Sequence, residues 1–367
     1  MKSNVKLITA FAVLSTALYA TNGDHLIGIG AKSLGMGGAS IAISHGAESA
    51  LANPALITTV KSKEISFGGT MFMPDVETNG QQSDAEFSVI PAISLAMKAT
   101  DSFYWGVGMW GTAGMGVDYR GTNTNDNMVT NLQLMQFGVP LAYKTGSFSV
   151  GITPVLQYGS LDMSYTGSST KGVAQDLVFG YDIGAAYTVS DATLGLIYKS
   201  PIKMHYGGQM TPLAADYSLV PFGDDLEQPS EMGAGVAYAM GRSVIALDYK
   251  RINWASAAGY KDFGWKDQDV FAIGYQHTQD AWAIRAGYNY AKSPIVNNAN
   301  GTINMLNLVG FPATVESHYA VGGSYAFTKK TSVDVAYVYA SEASDTLSTT
   351  STKHSQSALS MQVTFDF

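Results

Sequence analysis

From Glu64 to the last residue the chain repeats a period of two, and that period decides most of what it can become. The carboxyl end is the clearest instance: Leu359, Met361, Val363, Phe365 and Phe367 alternate with Ala358, Ser360, Gln362, Thr364 and Asp366. Upstream, Val333, Val335, Tyr337 and Tyr339 stand against Asp334 and Ala336, while Trp282, Ile284 and Tyr288 stand against Arg285 and Asn289. Ile245, Leu247 and Tyr249 likewise face away from Asp248 and Lys250. A two-residue period places alternate side chains on opposite faces of a strand. Because the mid-strand charges keep to one face, the other is free to meet lipid.

Fourteen such segments can be counted, near residues 63–73, 85–99, 103–117, 130–145, 147–165, 174–190, 192–207, 229–241, 243–255, 266–279, 281–292, 315–328, 331–343 and 355–367. Tight connections at Thr100-Asp101, Thr145-Gly146, Ser190-Asp191, Gly241-Arg242, Gln279-Asp280 and Lys329-Lys330 alternate with long ones. Outer-membrane barrels sort their connections this way, with short periplasmic turns and long external loops. A soluble sandwich has no reason to, and a propeller or solenoid would carry a sequence repeat. The expectation is an all-β, transmembrane antiparallel barrel of about 14 strands.

Composition narrows the function. Charged residues make up 14% of the chain, well below the ~25% of soluble domains. With no cysteine, disulfides and thiolate metal sites are excluded. A net charge of -8 and a pI near 5.2 leave no basic stripe to meet nucleic acid. Lys2 and Lys6 precede an apolar run from Leu7 to Leu18, short for a membrane helix and suited to a signal-peptide core. The expected division is a signal peptide at 1–20, a hatch at 21–62 and a barrel at 63–367, exported to a bacterial outer membrane.

A barrel of this width cannot fill its own lumen with side chains. Several inward positions are also small, Gly233, Gly235, Ala237 and Ala239 on one strand and Ala320, Gly322, Ser324 and Ala326 on another. The remaining stretch of suitable size, residues 21–62, lacks alternation. Six glycines lie between Gly28 and Gly46, and Asn53-Pro54 fixes a turn. Such a segment suits a plug, and a plugged barrel is a gated transporter.

The pattern Gly28-x-Gly30-x-x-Ser33-x-Gly35-Met36-Gly37-Gly38-Ala39, followed by Asn53-Pro54-Ala55, resembles the amino-terminal hatch of FadL/TodX-type outer-membrane transporters. Tyr198-Lys199-Ser200-Pro201 with His205 and Gly208, Trp254 after Asp248-Tyr249-Lys250-Arg251, Trp265-Lys266-Asp267 and Arg285-Ala286-Gly287-Tyr288 extend the resemblance over most of the chain. It implies passive uptake of hydrophobic small molecules, either long-chain fatty acids or aromatic hydrocarbons. It also implies a mature amino terminus in the ligand pocket, which puts Leu26 and Ile27 at the ligand. The implied partners are that ligand, outer-membrane lipid and, during biogenesis, the barrel-assembly machinery; a monomer is expected. One departure is the short third external loop near Gly167 to Gly172.

External capture then falls to residues 207–228, with Leu213 and Phe222, and 292–314, with Leu308 and Phe311. Loops this apolar suit a landing site for greasy ligands or a cap packed on itself. The third strand holds Gly106, Gly108, Gly111, Gly114 and Gly116, and glycine within a strand marks a bulge, a bend or a close approach. The resemblance implies a kink here that opens the wall sideways, with Met109, Trp110 and Met115 at its border; the alternative is relief of crowding against the hatch.

Enzymatic motifs fail on inspection. Gly106-x-Gly108-x-x-Gly111 has no helix after it to receive a phosphate, and Ala31-Lys32-Ser33-Leu34-Gly35 has no strand leading into it. No two of the six histidines are spaced i, i+4, and His205 and His318, if lumenal, read as hydrogen-bonding groups. No catalytic residue, metal or cofactor is expected. The other readings of such a barrel are a general porin, a structural or adhesin-like barrel, or an outer-membrane lipase.

Overall fold

The structure is a computed structural model that describes residues 22–367 apart from 123 and 221; the expected signal peptide lies outside the described residues. The wall begins with β1 (Lys63–Thr78), β2 (Ser88–Lys98), β3 (Phe103–Asp118), β4 (Val129–Gly138, resuming as Leu141–Thr145), β5 (Phe148–Ser164), β6 (Ala174–Val189) and β7 (Ala192–Lys199). It continues with β8 (Glu231–Met240), β9 (Ser243–Ile252), β10 (Gln268–Gln279), β11 (Trp282–Ala291), β12 (Ser317–Thr328), β13 (Thr331–Leu347) and β14 (Thr350–Asp366). Each strand pairs antiparallel with its neighbours. β14 returns to β1 over a ladder from Glu64↔Asp366 to Thr78↔Thr352. Closure pairs the edges that lipid would leave unsatisfied.

The two faces separate as the alternation requires. Leu247, Ile284, Tyr319 and Tyr337 face outward and are exposed, whereas Asp248, Arg285, His318 and Asp334 point inward and are buried. A water-soluble sheet would have the opposite arrangement.

β1, β13 and β14 run four to five residues beyond their expected ends, and two other strands break off at a proline where the sequence predicts them to continue. β4 is interrupted at Val139-Pro140, since proline brings no N–H to the ladder. The seventh strand, expected to run to residue 207, ends at Lys199 before Pro201. Ile202–His205 then leaves the wall to form a small hairpin with Asp225–Gln228. Ile202, Met204 and Leu226 are buried there among the loop residues, which repays leaving the sheet. This places His205 on an exposed hairpin, 2.8 Å from Asp225 Oδ1, and not in the lumen. His318 is lumenal, 3.0 Å from the Gln356 side-chain nitrogen.

Inside the wall lie helix α1 (Ala31–Gly35) and two 3-10 turns, Gly46–Leu51 and Pro54–Thr59. Over the external end fold α2 (Met210–Asp216), α3 (Gly301–Gly310) and the connection from 253 to 267.

Candidate functional site

The hatch sits on glycines of both partners. Gly37 has φ +67°, and a Cβ there would come 2.6 Å from the Tyr288 nitrogen; a Cβ on Gly287 would overlap the Gly37 backbone. Two residues earlier, Gly35 lies against Gly322, and Met36 fills the space beside Gly274. Backbone therefore packs on backbone, which only residues without side chains permit. Polar bonds fix the register. Asn289 donates to Gly37 O at 3.1 Å, and Asp248 accepts from the Ser40 and Ile41 nitrogens at 2.6 and 2.8 Å. Asn53 accepts from the Ala55 nitrogen at 3.0 Å, donates to Ile41 O at 2.7 Å, and sits with Pro54 over Gly151 and Gly184. Those wall positions lie near the tight-turn end of β5 and β6.

Glu48 is the centre of a second tether. It accepts from the Ser33 nitrogen at 2.7 Å and from Gln362 Nε2 of the wall at 2.9 Å. Burial pushes its carboxyl up to about 7, against the pull of nearby Lys32.

Above the hatch an aromatic cavity closes under the loops. Met115 and Leu161 supply its wall side, and Met210, Tyr260, Phe263, Trp265 and Phe311 its roof. Trp254, Tyr260 and Trp265 meet with ring centroids 4.6–5.1 Å apart; Phe263 contacts Phe222 at 5.5 Å and Phe311 at 5.9 Å. The space left is about 10 Å³, the scale of one water molecule, so rings must part to admit a ligand. Of the loop residues expected at a ligand, Phe311 lines this cavity and Phe222 packs on Phe263; Leu213 and Leu308 are fully buried in the surrounding cap. Capping of loop on loop is thus realised. In the 253–267 connection the sequence marks Trp254 and Trp265 only through the resemblance, and Tyr260 and Phe263 join them at the cavity. The signal of the connection was four large aromatics in fifteen residues between two strands.

Below this cavity the chain from 22 to 29 crosses the lumen. Tyr260 Oη and Gln228 Nε2 donate to Asp24, the latter at 2.8 Å. His25 Nδ1 lies 2.8 Å from Glu231 Oε1. Burial lowers the His25 pKa, but the Glu231 carboxylate more than offsets it and the net shift is upward. Leu26 and Ile27 line a second cavity against Leu34, Phe72, Val338 and Ala358.

This segment also completes the wall. The β2–β3 ladder runs from Lys98↔Tyr104 to Ala92↔Trp110 and stops. On its other side β3 slips register against β4 between Gly111 and Ala113. From Trp110 to Val117 every residue is buried, so the strand has turned into the lumen. Its freed edge is taken by the hatch: the Leu26 nitrogen donates to Thr112 O at 3.3 Å and the Gly114 nitrogen to Asp24 O at 3.0 Å. The connection leading into β2, not β2 itself, meets the far end of β3, where the Asp84 nitrogen donates to Asp118 O at 2.8 Å.

The glycines divide by role. Gly111 sits at the turn, where a Cβ would come 2.5 Å from Ile90 Cγ2 of the β2 side; Gly108 faces Leu51 of the hatch, and Gly116 lies close on Thr130 of β4. Trp110 is fully enclosed against Gly108 and Gly138, so it lies beneath the wall and not on the rim. Met115 lines the aromatic cavity, while Met109 is part-buried at the last paired stretch.

A closed antiparallel barrel, a lumen stoppered by its own amino-terminal segment and an apolar chamber above the stopper define an outer-membrane transport protein. Residues 13–366 match the family described as outer membrane protein transport protein (OMPP1/FadL/TodX). The chain belongs to that family. A long-chain fatty acid transport protein of Salmonella typhi is 21% identical over 91% of this chain and 90% of its own length. Among solved structures, a Pseudomonas aeruginosa FadL homologue superposes with a TM-score of 0.74 at 16% identity, over 94% of this chain and all of its own. The Ralstonia pickettii toluene transporter TbuX does so with 0.72 at 17%, over 93% and 98%. The protein is a transporter, as the family's description states.

Proposed function

We propose that the protein carries hydrophobic small molecules passively from the external loops through the aromatic cavity, past residues 24–27, and sideways into the membrane between β2 and β3. Residues 21–62 act as the hatch, and 63–367 as the wall. The observation that carries this reading is the interrupted β2–β3 ladder whose free edge is held by Asp24 and Leu26. An apolar molecule gains nothing by entering periplasmic water when hydrocarbon lies across the wall. A backbone edge freed at membrane depth needs a partner, and a hatch segment can supply one and withdraw it, which a neighbouring wall strand cannot. The names of the relatives, fatty acid transport on one side and toluene transport on the other, agree with a hydrophobic cargo.

The test is the Gly111→Val, Gly114→Val double variant. A side chain at 111 would overlap Ile90 Cγ2, so the bend cannot keep its present packing, and valine favours a straight strand. Uptake of hydrophobic probes should fall at least about tenfold while heat resistance and surface display stay normal. Normal uptake by the folded variant rejects the lateral exit.

A further inference from the structure

Withdrawal of residues 24–27 from the gap in the wall leaves polar groups behind, and they are not alike. Tyr260 and Gln228, which donate to Asp24, are neutral. Glu231, the first residue of β8, is buried and charged. His25 presents Nδ1 to Glu231 Oε1 at 2.8 Å and Nε2 to Gln228 Oε1 at 2.6 Å. Both ring nitrogens thus face acceptors, and an imidazole that donates from both carries a positive charge. The hatch segment therefore takes a cation with it when it leaves, and a buried carboxylate stripped of its partner is strongly destabilising.

The wall holds a replacement. On β7, Lys199 lies opposite Glu231 at 3.9 Å, but it also faces the buried Asp182. On β9, Lys250 stands in register with Gly233, two residues along β8 from Glu231. Gly233 has no side chain, and the Lys250 stem lies over it: a Cβ there would come 3.1 Å from Lys250 Cγ. Diagonal positions of this kind are about 7–8 Å apart across a ladder, within reach of a long side chain. Among the described residues the Lys250 ammonium has no bonded partner, although Glu231 and Asp248 are within its electrostatic range. Asp248 is already taken by the Ser40 and Ile41 nitrogens. Lys250, Glu231 and His25 line one cavity of about 40 Å³, more than a single water molecule needs, so the ammonium has room to turn.

Resting on the lateral path proposed above, we infer that Glu231 is handed from His25 to Lys250 when the hatch segment withdraws, which makes Lys250 the residue that holds the open wall. With the segment in place, Lys250 is an unpaired cation beside two others, Lys199 and His25. With the segment gone, it gains the carboxylate that His25 has left. Its interactions thus favour the open state over the closed one, and a difference of that kind is what shifts a two-state equilibrium.

The measurement is amide hydrogen exchange of residues 24–28 in the full chain in lipid nanodiscs at pH 7, with ethylbenzene uptake by cells measured beside it. The Leu26 nitrogen, bonded to Thr112 O, reports the opening directly. Lys250→Met should slow this exchange and lower uptake, each at least about tenfold, the scale of one hydrogen bond to a charged group. Lys250→Arg, which keeps the charge, should leave both near the native level. In Glu231→Gln, whose amide needs no cation, adding Lys250→Met should change little. Exchange unslowed by Lys250→Met, or slowed as much in the Glu231→Gln background, overturns the handover and leaves the path standing. Slowed exchange with undiminished uptake supports the handover and rejects the path.

Discussion

At the scale of single residues the hatch is held by absences as much as by bonds. Gly37 and Gly287 touch through their backbones, and either side chain would wedge them apart. Gly287→Val, a change made in the wall, should therefore act like Gly37→Leu in the hatch. Both should raise ion leakage in planar bilayers several-fold while the barrel stays resistant to heat in detergent; tight variants would show that the glycines do not set the seal. Glu48 makes a second, pH-dependent contribution. Its folded pKa of about 7 lies above the ordinary 4.5, so the folded state binds the proton more tightly than the released hatch does. That stabilisation is whole below about pH 4.5 and is lost as pH rises through 7, a difference of about 3 kcal/mol. Leakage should thus rise between pH 5 and pH 8 in the native protein. Glu48→Gln, which cannot ionise, should flatten the profile, and an unchanged slope would assign the effect elsewhere.

At the scale of elements, the strands were legible because lipid on one side and hatch on the other force a strict alternation. Fourteen strands read from residues 63–367 are the fourteen observed. What the alternation could not report was where a strand stops serving the wall. At Pro201 the apolar Ile202 and Met204 continue the same period while the backbone leaves for the hairpin with Asp225–Gln228 under the loops. The glycines of β3 were visible as a cluster, yet their roles differ with neighbours distant in sequence: Ile90 for Gly111, Leu51 for Gly108. The inward role of the 253–267 connection is hidden for a similar reason. Its rings acquire meaning only when α2, α3 and Asp24 close around them, and a loop has no period to betray its inner side. Trp265→Ala should weaken ethylbenzene binding about tenfold, since an aromatic contact is worth about 1 kcal/mol beyond its buried area, without raising ion leakage. Unaltered affinity would move the binding site away from this loop.

At the scale of the whole molecule, the parts form a single seal with two faces. The aromatic cap closes the external end, the hatch closes the lumen, and Asp24 to Leu26 close the break in the wall. Deleting residues 28–55 should turn the protein into a steadily conducting pore, because the lumen of a barrel this wide is otherwise open; unchanged conductance would mean that residues 28–55 are not the stopper. Sideways passage makes a narrower demand, that the hatch segment part from β3 while the rest of the wall stays closed. The chain has no native cysteine, so a Leu26→Cys, Thr112→Cys pair can join the two segments that meet at 3.3 Å through their backbones. Ethylbenzene uptake into cells bearing the oxidised pair should drop to the level of cells lacking the protein and return on reduction. Undiminished uptake through the fully oxidised pair would contradict lateral release past the hatch.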